Sequence, residues 1–281
     1  MIELQVNNDE IKIGELPELE IIAIDDIIMH EFPDVERAAR LIEKLSTDRI
    51  LRNPPIVARI PNQQKRILLD GHNRITALTK LDVPHVMVQE IEYFDEKLKV
   101  SLWHHAVEFI NQDQTFEHIE KLGLKAEVWD DYPLADNLLC RIVFANNQSF
   151  AVVGSDDLYE RVIQLKEFTD LYHNMVNMDR VSYTSMDYLL RNHPNFSMLV
   201  SFPRYTKENL LKIINRGLRI PTGVTRFILP KRALQINTQL DVLRAKLSVD
   251  DKNTWLRGII REKIGGKHIR FYREPTFFFD E

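Results

Sequence analysis

Residues 68–81, LLDGHNRITALTKL, place an apolar run, an Asp-Gly turn and a helix-forming segment in direct succession. A helix start aims unpaired backbone N–H groups outward, and His72 and Arg74 on its first turn add a donor and a cation. The expected result is an anion site. Asp70 precedes the turn, and a carboxylate beside a phosphate pocket holds a divalent metal or orients a nucleophile, so phosphate chemistry is the leading idea. Taken alone, Asp70 and Arg74 also read as a cap and an exposed cation, and His72 as a surface loop histidine.

Other residues offer weaker signals. Glu31 follows a β-rich stretch and precedes Pro33, so it projects from a loop and reads, unaided, as a solvated acid. Trp103-His104-His105 combines a tryptophan with two adjacent histidines, which project in different directions and suit no single zinc ion. Gly223-Val224-Thr225-Arg226 offers a flexible backbone, a hydroxyl and a fixed cation, a set suited to a carboxylate or phosphate. A Thr-Arg pair by itself is ordinary on a strand.

The bulk numbers bound these readings. The chain has 281 residues, 44% apolar and 28% charged, ordinary for a soluble globular protein with a real core and one large or two modest domains. No window holds some 18 uncharged apolar residues, and the acidic N-terminal stretch is unlike a signal peptide, so a cytoplasmic protein without a membrane span is expected. The single cysteine, Cys140, excludes an internal disulfide and sits in NLLCRIVF, which reads as a buried strand carrying a packed thiol. A net charge of −5 gives no global attraction to nucleic acid.

The elements follow from spacing. A short strand and an irregular arm are expected in the first 20 residues, and a β-rich approach over 21–28. Val35, Ala38, Leu41, Ile42 and Leu45 mark a helix, which Asn53-Pro54-Pro55 closes off. Residues 55–60 and 66–69 form a strand pair across the polar turn PNQQK, followed by a helix over 73–81 and a strand over 86–91. A second region starts near Phe94, with helices over 158–168, 207–215 and 252–264 and β-like runs over 138–144 and 150–153. Thr206 is a plausible N-cap and Gly217 a left-handed C-terminal residue for the middle helix.

Asp70-Gly71-His72-Asn73-Arg74, preceded by Pro55-Ile56-Val57 and followed by an amphipathic helix, resembles the ParB/sulfiredoxin-like fold. Met29-His30-Glu31, Leu102-Trp103-His104-His105, and Pro221-Thr222-Gly223-Val224-Thr225-Arg226-Phe227 with Arg232 narrow the resemblance. Together they resemble the free L-serine kinases, most of all the bacterial, siderophore-linked ones, over most of residues 20–275.

The resemblance implies an α+β fold. A small ParB/sulfiredoxin-like domain, residues 1–94, would bind nucleotide phosphates and pack on a larger mixed α/β C-terminal substrate domain, residues 95–281, with the active site in the cleft between them. It implies phosphorylation of free L-serine to O-phospho-L-serine with Mg2+ and ATP, ADP being the other possible donor. Glu31 and Asp70 would be catalytic, Glu31 as general base. Gly71, His72, Asn73, Arg74 and Arg232 would hold the nucleotide phosphates. Asp70 would also assist a Mg2+ held mainly by those phosphates, while Trp103, His105, Thr225 and Arg226 would line the substrate pocket. Arg37 matches a further family position. The implied partners are L-serine and nucleotide, with the chain a monomer or weak dimer. Two residues depart from the pattern: Asn73 stands where many relatives have histidine, and Phe227 replaces a histidine of archaeal members, which weakens an inference of ADP use.

Two other classes compete. A nucleotide-binding regulator or DNA-associated switch of the partition-protein type would share the fold, but the acidic balance and the lack of a basic recognition helix count against it. Sulfinic-acid reduction of the sulfiredoxin type needs a cysteine in the phosphate loop, where His72 stands.

Overall fold

Ile56, Ala58, Ile67 and Leu69 point into one apolar cluster, while Val57 and Leu68 between them point into another. Strands apolar on both faces belong to a sheet covered on both sides. A computed structural model describes residues 16–129, 136–173 and 177–272. Of the short strand and irregular arm expected in the first 20 residues, residues 1–15 lie outside the described residues.

The first sheet comprises β1 (Glu18–Ala23), β2 (Ile27–Met29), β4 (Ile56–Arg59), β5 (Arg66–Asp70) and β6 (His85–Glu92), in the order β1-β6-β4-β5-β2. β4 and β5 pair antiparallel, as the polar turn between them requires. The single β-rich approach expected over 21–28 is instead two strands at opposite edges, because a 3-10 turn at Ile24–Asp26 interrupts the ladder. Glu90 on β6 is a buried acid, and the guanidinium groups of Arg59 and Arg66 satisfy it at 2.9 and 2.8 Å.

Two helices cover one face of this sheet. α1 (Val35–Asp48) is capped by Asp34, whose side chain accepts from the Arg37 N–H, and α2 (His72–Lys80) follows β5 after one residue. Their apolar residues Leu45, Ile75 and Leu78 join the cluster formed by Ile21, Val57, Leu68 and Val86.

A second, six-stranded antiparallel sheet follows in the chain. It contains β8 (His104–Glu108), β9 (Lys125–Val128), β10 (Leu138–Phe144), β11 (Ser149–Val153), β12 (Met178–Val181) and β13 (Phe196–Ser201), in the order β12-β8-β13-β10-β11-β9. Helices α3 (Gln112–Lys121), α4 (Leu158–His173), α5 (Met186–Asn192) and α6 (Lys207–Asn215) accompany it. Thr206 caps α6 by accepting from the Asn209 N–H, and Gly217 has φ +73° beyond its end, both as expected. Cys140 lies at 0% exposure, and burial pushes its thiol up, so it is a packed side chain.

The last elements return to the first sheet. β7 (Lys99–Leu102) pairs with β14 (Thr225–Ile228), and β3 (Ile50–Leu51) pairs with β15 (Thr238–Gln239). Leu240 and Leu243 of α7 (Leu240–Arg244) and Leu256 of α8 (Val249–Gly265) sit in the cluster beneath α1 and α2. Apolar residues near 240 and 256 complete the N-terminal core, and period alone cannot say which sheet a helix covers. The architecture is a mixed α/β fold.

Candidate active site

The turn from β5 into α2 is fixed by glycine. Gly71 has φ +105°, and a Cβ there would lie 3.0 Å from Pro55 Cβ and 3.1 Å from Pro55 Cα. Only a residue without a side chain adopts that backbone so close to Pro55. No side chain caps α2, so its leading N–H groups keep their capacity to bind an anion.

Asp70 closes the turn from the strand side. Its Oδ2 accepts from Arg74 at 3.2 Å and from Arg232 at 2.5 Å. Burial pushes the Asp70 carboxyl up, but the two guanidinium groups outweigh it and hold the group down at about 2, so it is ionised at neutral pH. Arg74 also donates to the carbonyls of Asn53 and Pro54 at 3.0 and 2.8 Å. In this arrangement it fastens the segment before Pro55 under the turn. Asn73 Oδ1 accepts from the Asp34 N–H at 2.9 Å, tying α2 to the start of α1.

Glu31 approaches from the other side. Its backbone bridges to Ile220, with the Phe32 N–H donating to the Ile220 carbonyl and the Ile220 N–H to the His30 carbonyl. The carboxylate is only 6% exposed and accepts from the N–H groups of Gly223 (3.1 Å) and Thr225 (2.6 Å) and from the Thr225 hydroxyl. The solvated loop acid is thus excluded. The Glu31 N–H points at His72 Nε2 across 3.4 Å, and burial holds the His72 ring well below the usual histidine range, so this nitrogen is an acceptor.

One cavity of about 550 Å3 collects these groups. Glu31, Asp70, Gly71, His72, Asn73, Arg74, Trp103, Thr225 and Arg232 all line it, as does Arg37. Two expected substrate contacts do not. His105 is fully buried beneath the cavity floor, where its Nε2 donates to the Gly223 carbonyl (2.8 Å) and its Nδ1 pairs with the Tyr172 hydroxyl (2.8 Å). Both ring nitrogens are occupied, so it shapes the 220–225 loop. Arg226 follows Thr225 on β14, and strand alternation turns its side chain to the opposite face, where it stacks on the Trp103 ring at 4.4 Å.

Arg180 was not among the expected site residues. It lines the cavity from β12, donates to Thr222 Oγ1 at 2.9 Å and stands 3.6 Å from the Asp34 carboxylate. Its Nε has no hydrogen-bond partner among the described residues. Gly223, at φ +72°, lets this side chain lie against the backbone, since a Cβ there would clash with the Arg180 guanidinium. Nothing in the local MDRVS stretch signals this role, which depends on β12 pairing with β8 at Arg180 and His105.

Among the described residues no group of three or more His, Cys, Asp or Glu side chains is placed to hold a metal ion. No helix among them is long and apolar enough to cross a membrane.

The geometry places a buried carboxylate and an open helix start on one cavity, and comparison with known proteins gives that arrangement a context. The chain is 27% identical over 239 residues to an ATP-dependent L-serine kinase of Staphylothermus marinus, covering 80% of this chain and 90% of that protein. It is 22% identical over 264 residues to the ATP-dependent L-serine kinase SbnI of Staphylococcus aureus, covering 94% and 97%. The chain resembles the L-serine kinases over most of its length. The ADP-dependent L-serine kinase SerK of Thermococcus kodakarensis matches at 25% over 236 residues, 79% of this chain and 91% of that one. A solved structure of a free serine kinase in complex with AMP superposes with a TM-score of 0.69 at 20% identity, covering 81% and 94% of the two chains, which shows a shared fold. No family model matches.

Proposed function

We propose that this chain is a nucleotide-dependent kinase of free L-serine. It transfers the terminal phosphoryl group of ATP to the serine hydroxyl and releases O-phospho-L-serine and the nucleoside diphosphate. The observation that carries the reading is the meeting of the Glu31 carboxylate and the Asp70–Arg74 turn on one cavity. Likeness to ATP-dependent L-serine kinases along 80% and 94% of the chain supports the choice of substrate and donor. An ADP-dependent relative keeps ADP as the second donor to be assayed.

The chain's own residues divide the work. The cavity is the cleft between the ParB/sulfiredoxin-like part around the first sheet and the part built on the second. Gly71, His72 and Asn73 present the helix start to the nucleotide phosphates, with Arg232 and Arg74 offsetting charge at the Asp70 side. Asp70 is ionised and exposed to the cavity, a hard oxygen donor of the kind Mg2+ takes when phosphates fill most of its coordination. Mg2+, when bound there, offsets phosphate charge. Glu31 accepts the serine hydroxyl proton as the oxygen attacks phosphorus, a contribution of about 10²- to 10⁴-fold for a positioned base. Trp103 walls the amino-acid side of the cavity and excludes water. Arg180, the partly buried cation that faces the cavity, takes the substrate carboxylate. Both substrates are cytoplasmic metabolites, and we place the chain there.

The test is direct. The purified protein is incubated with Mg2+, L-serine and either ATP or ADP, and the mixture is read by mass spectrometry. O-phosphoserine formed at the expense of one nucleotide is expected; no product with either would overturn the reading.

A further inference from the structure

Three hydrogen-bonding groups stand in a row behind the Glu31 carboxylate. The Leu68 carbonyl faces His30 Nδ1, and since a carbonyl only accepts, Nδ1 carries the proton. In the neutral ring Nε2 is then an acceptor, and it lies 2.8 Å from Thr225 Oγ1. The same Oγ1 contacts Glu31 Oε1, and an ionised carboxylate also only accepts. Thr225 thus has one hydroxyl proton for two acceptors. His30, Glu31 and Thr225 are 1%, 6% and 7% exposed, so bulk water does not supply the missing donor.

One added proton completes the row in two ways. On Glu31 Oε1 it is donated to Thr225, whose own proton turns to His30 Nε2. On His30 Nε2 it is donated to Thr225, whose proton turns to Glu31. We propose that Glu31, Thr225 and His30 accept the substrate's hydroxyl proton as one unit, sharing it along the row. This rests on Glu31 being the base. The substrate O–H bond breaks as the O–P bond forms and the bond from phosphorus to the leaving nucleotide breaks. The proton resides on the row until it returns to solvent. Thr225 and His30 are positioning residues in this scheme.

The other ionisable groups facing the row are His72 from α2, Asp70 from β5, Arg180 from β12, Arg219 ahead of Ile220, and Tyr205 ahead of α6. Burial keeps His72 and Tyr205 neutral, Asp70 stays ionised, and the arginines stay cationic.

The experiment is an NMR titration of the full-length protein carrying 15N-histidine and 13C-glutamate, with resonances assigned by Glu31→Gln and His30→Gln. One midpoint common to His30 Nε2 and Glu31 Cδ is expected, matching the acidic limb of kcat/KM. In Thr225→Val the two probes should separate by more than about one pH unit, while Thr225→Ser, which keeps the hydroxyl, should restore a common midpoint. Independent midpoints in the wild-type protein would overturn the proposal without any variant, as would an unchanged titration in folded Thr225→Val. Turnover decides the underlying reading separately. Glu31→Gln retaining full activity removes the base itself, whereas Glu31→Gln inactive with independent wild-type midpoints removes only the sharing.

Discussion

Asp70 and Arg232 form an ion pair at 2.5 Å although they stand 162 positions apart in the chain. The turn that opens α2 is thereby closed by a cation carried on the segment between β14 and β15. The proposed anion site is therefore not local to the Asp70–Arg74 motif. It is complete only when the C-terminal part of the chain has returned to the first sheet.

Arg232→Ala should weaken nucleotide binding by about tenfold or more, since a charge-assisted contact contributes roughly 1.5–3 kcal/mol. Calorimetry with the nucleotide measures it; wild-type affinity would remove Arg232 from the site. The pair also predicts a pH dependence. The Asp70 carboxyl is held down at about 2 in the folded chain, below the ordinary value near 4, so its stabilisation is full above that value and lost as pH falls from about 4 to about 2. In Arg232→Ala the loss should still begin near 4, where the unfolded chain sets it, but be smaller and end at higher pH, which urea denaturation across that range reports.

Glu31→Gln separates chemistry from binding. The carboxamide keeps the shape of the side chain and one oxygen, enough for the Thr225 N–H or the Gly223 N–H but not both, since these reach different carboxylate oxygens, and it accepts no proton. We expect kcat to fall about 10²- to 10⁴-fold with nucleotide affinity within about twofold of wild type. A fall in affinity of the same size as the fall in kcat would mean that Glu31 holds the nucleotide and does not activate the hydroxyl.

Gly71→Ala tests the turn itself. The new Cβ would meet Pro55 at 3.0 Å in a backbone that side chains rarely adopt, so folding should lose about 1–3 kcal/mol. Because the displaced atoms belong to the start of α2, nucleotide affinity should fall as well. Unchanged thermal stability together with unchanged affinity would show that the turn relaxes freely.

Much of this was readable in the sequence wherever one local rule decided the outcome. The Asp-Gly turn with its flanking strand and helix, the strand pair over 56–70 and the capped helix over 207–215 each depend on neighbours a few residues apart. Glu31 was legible as a candidate, but its burial was not, since that comes from pairing with Ile220 nearly 190 residues away. His105 and Arg226 stand off the cavity lining for different reasons. The first sits on a central strand of the second sheet with both faces covered, and the second lies one position out of phase with Thr225. Arg180 carried no signal at all, because its place in the cavity is set by sheet order.

The same long-range closure makes the C-terminal helices a structural requirement, and Lys252 is where it can be tested. This lysine is fully buried, with Nζ donating to the Leu243 carbonyl at 2.7 Å and meeting His85 Nδ1 at 3.0 Å. It pins α8 to α7 and to the first residue of β6. Lys252→Met keeps the length of the side chain and removes the donor, leaving a buried carbonyl without its partner, so a loss of about 1–3 kcal/mol is expected. Lys252→Ala adds a void and should lose about 2 kcal/mol more. Hydrogen exchange should show α8 opening first in both variants, with kcat retained at temperatures where α8 stays docked. Equal protection of α8 in wild type and Lys252→Ala would mean that the apolar contacts of Leu240, Leu243 and Leu256 hold the segment unaided.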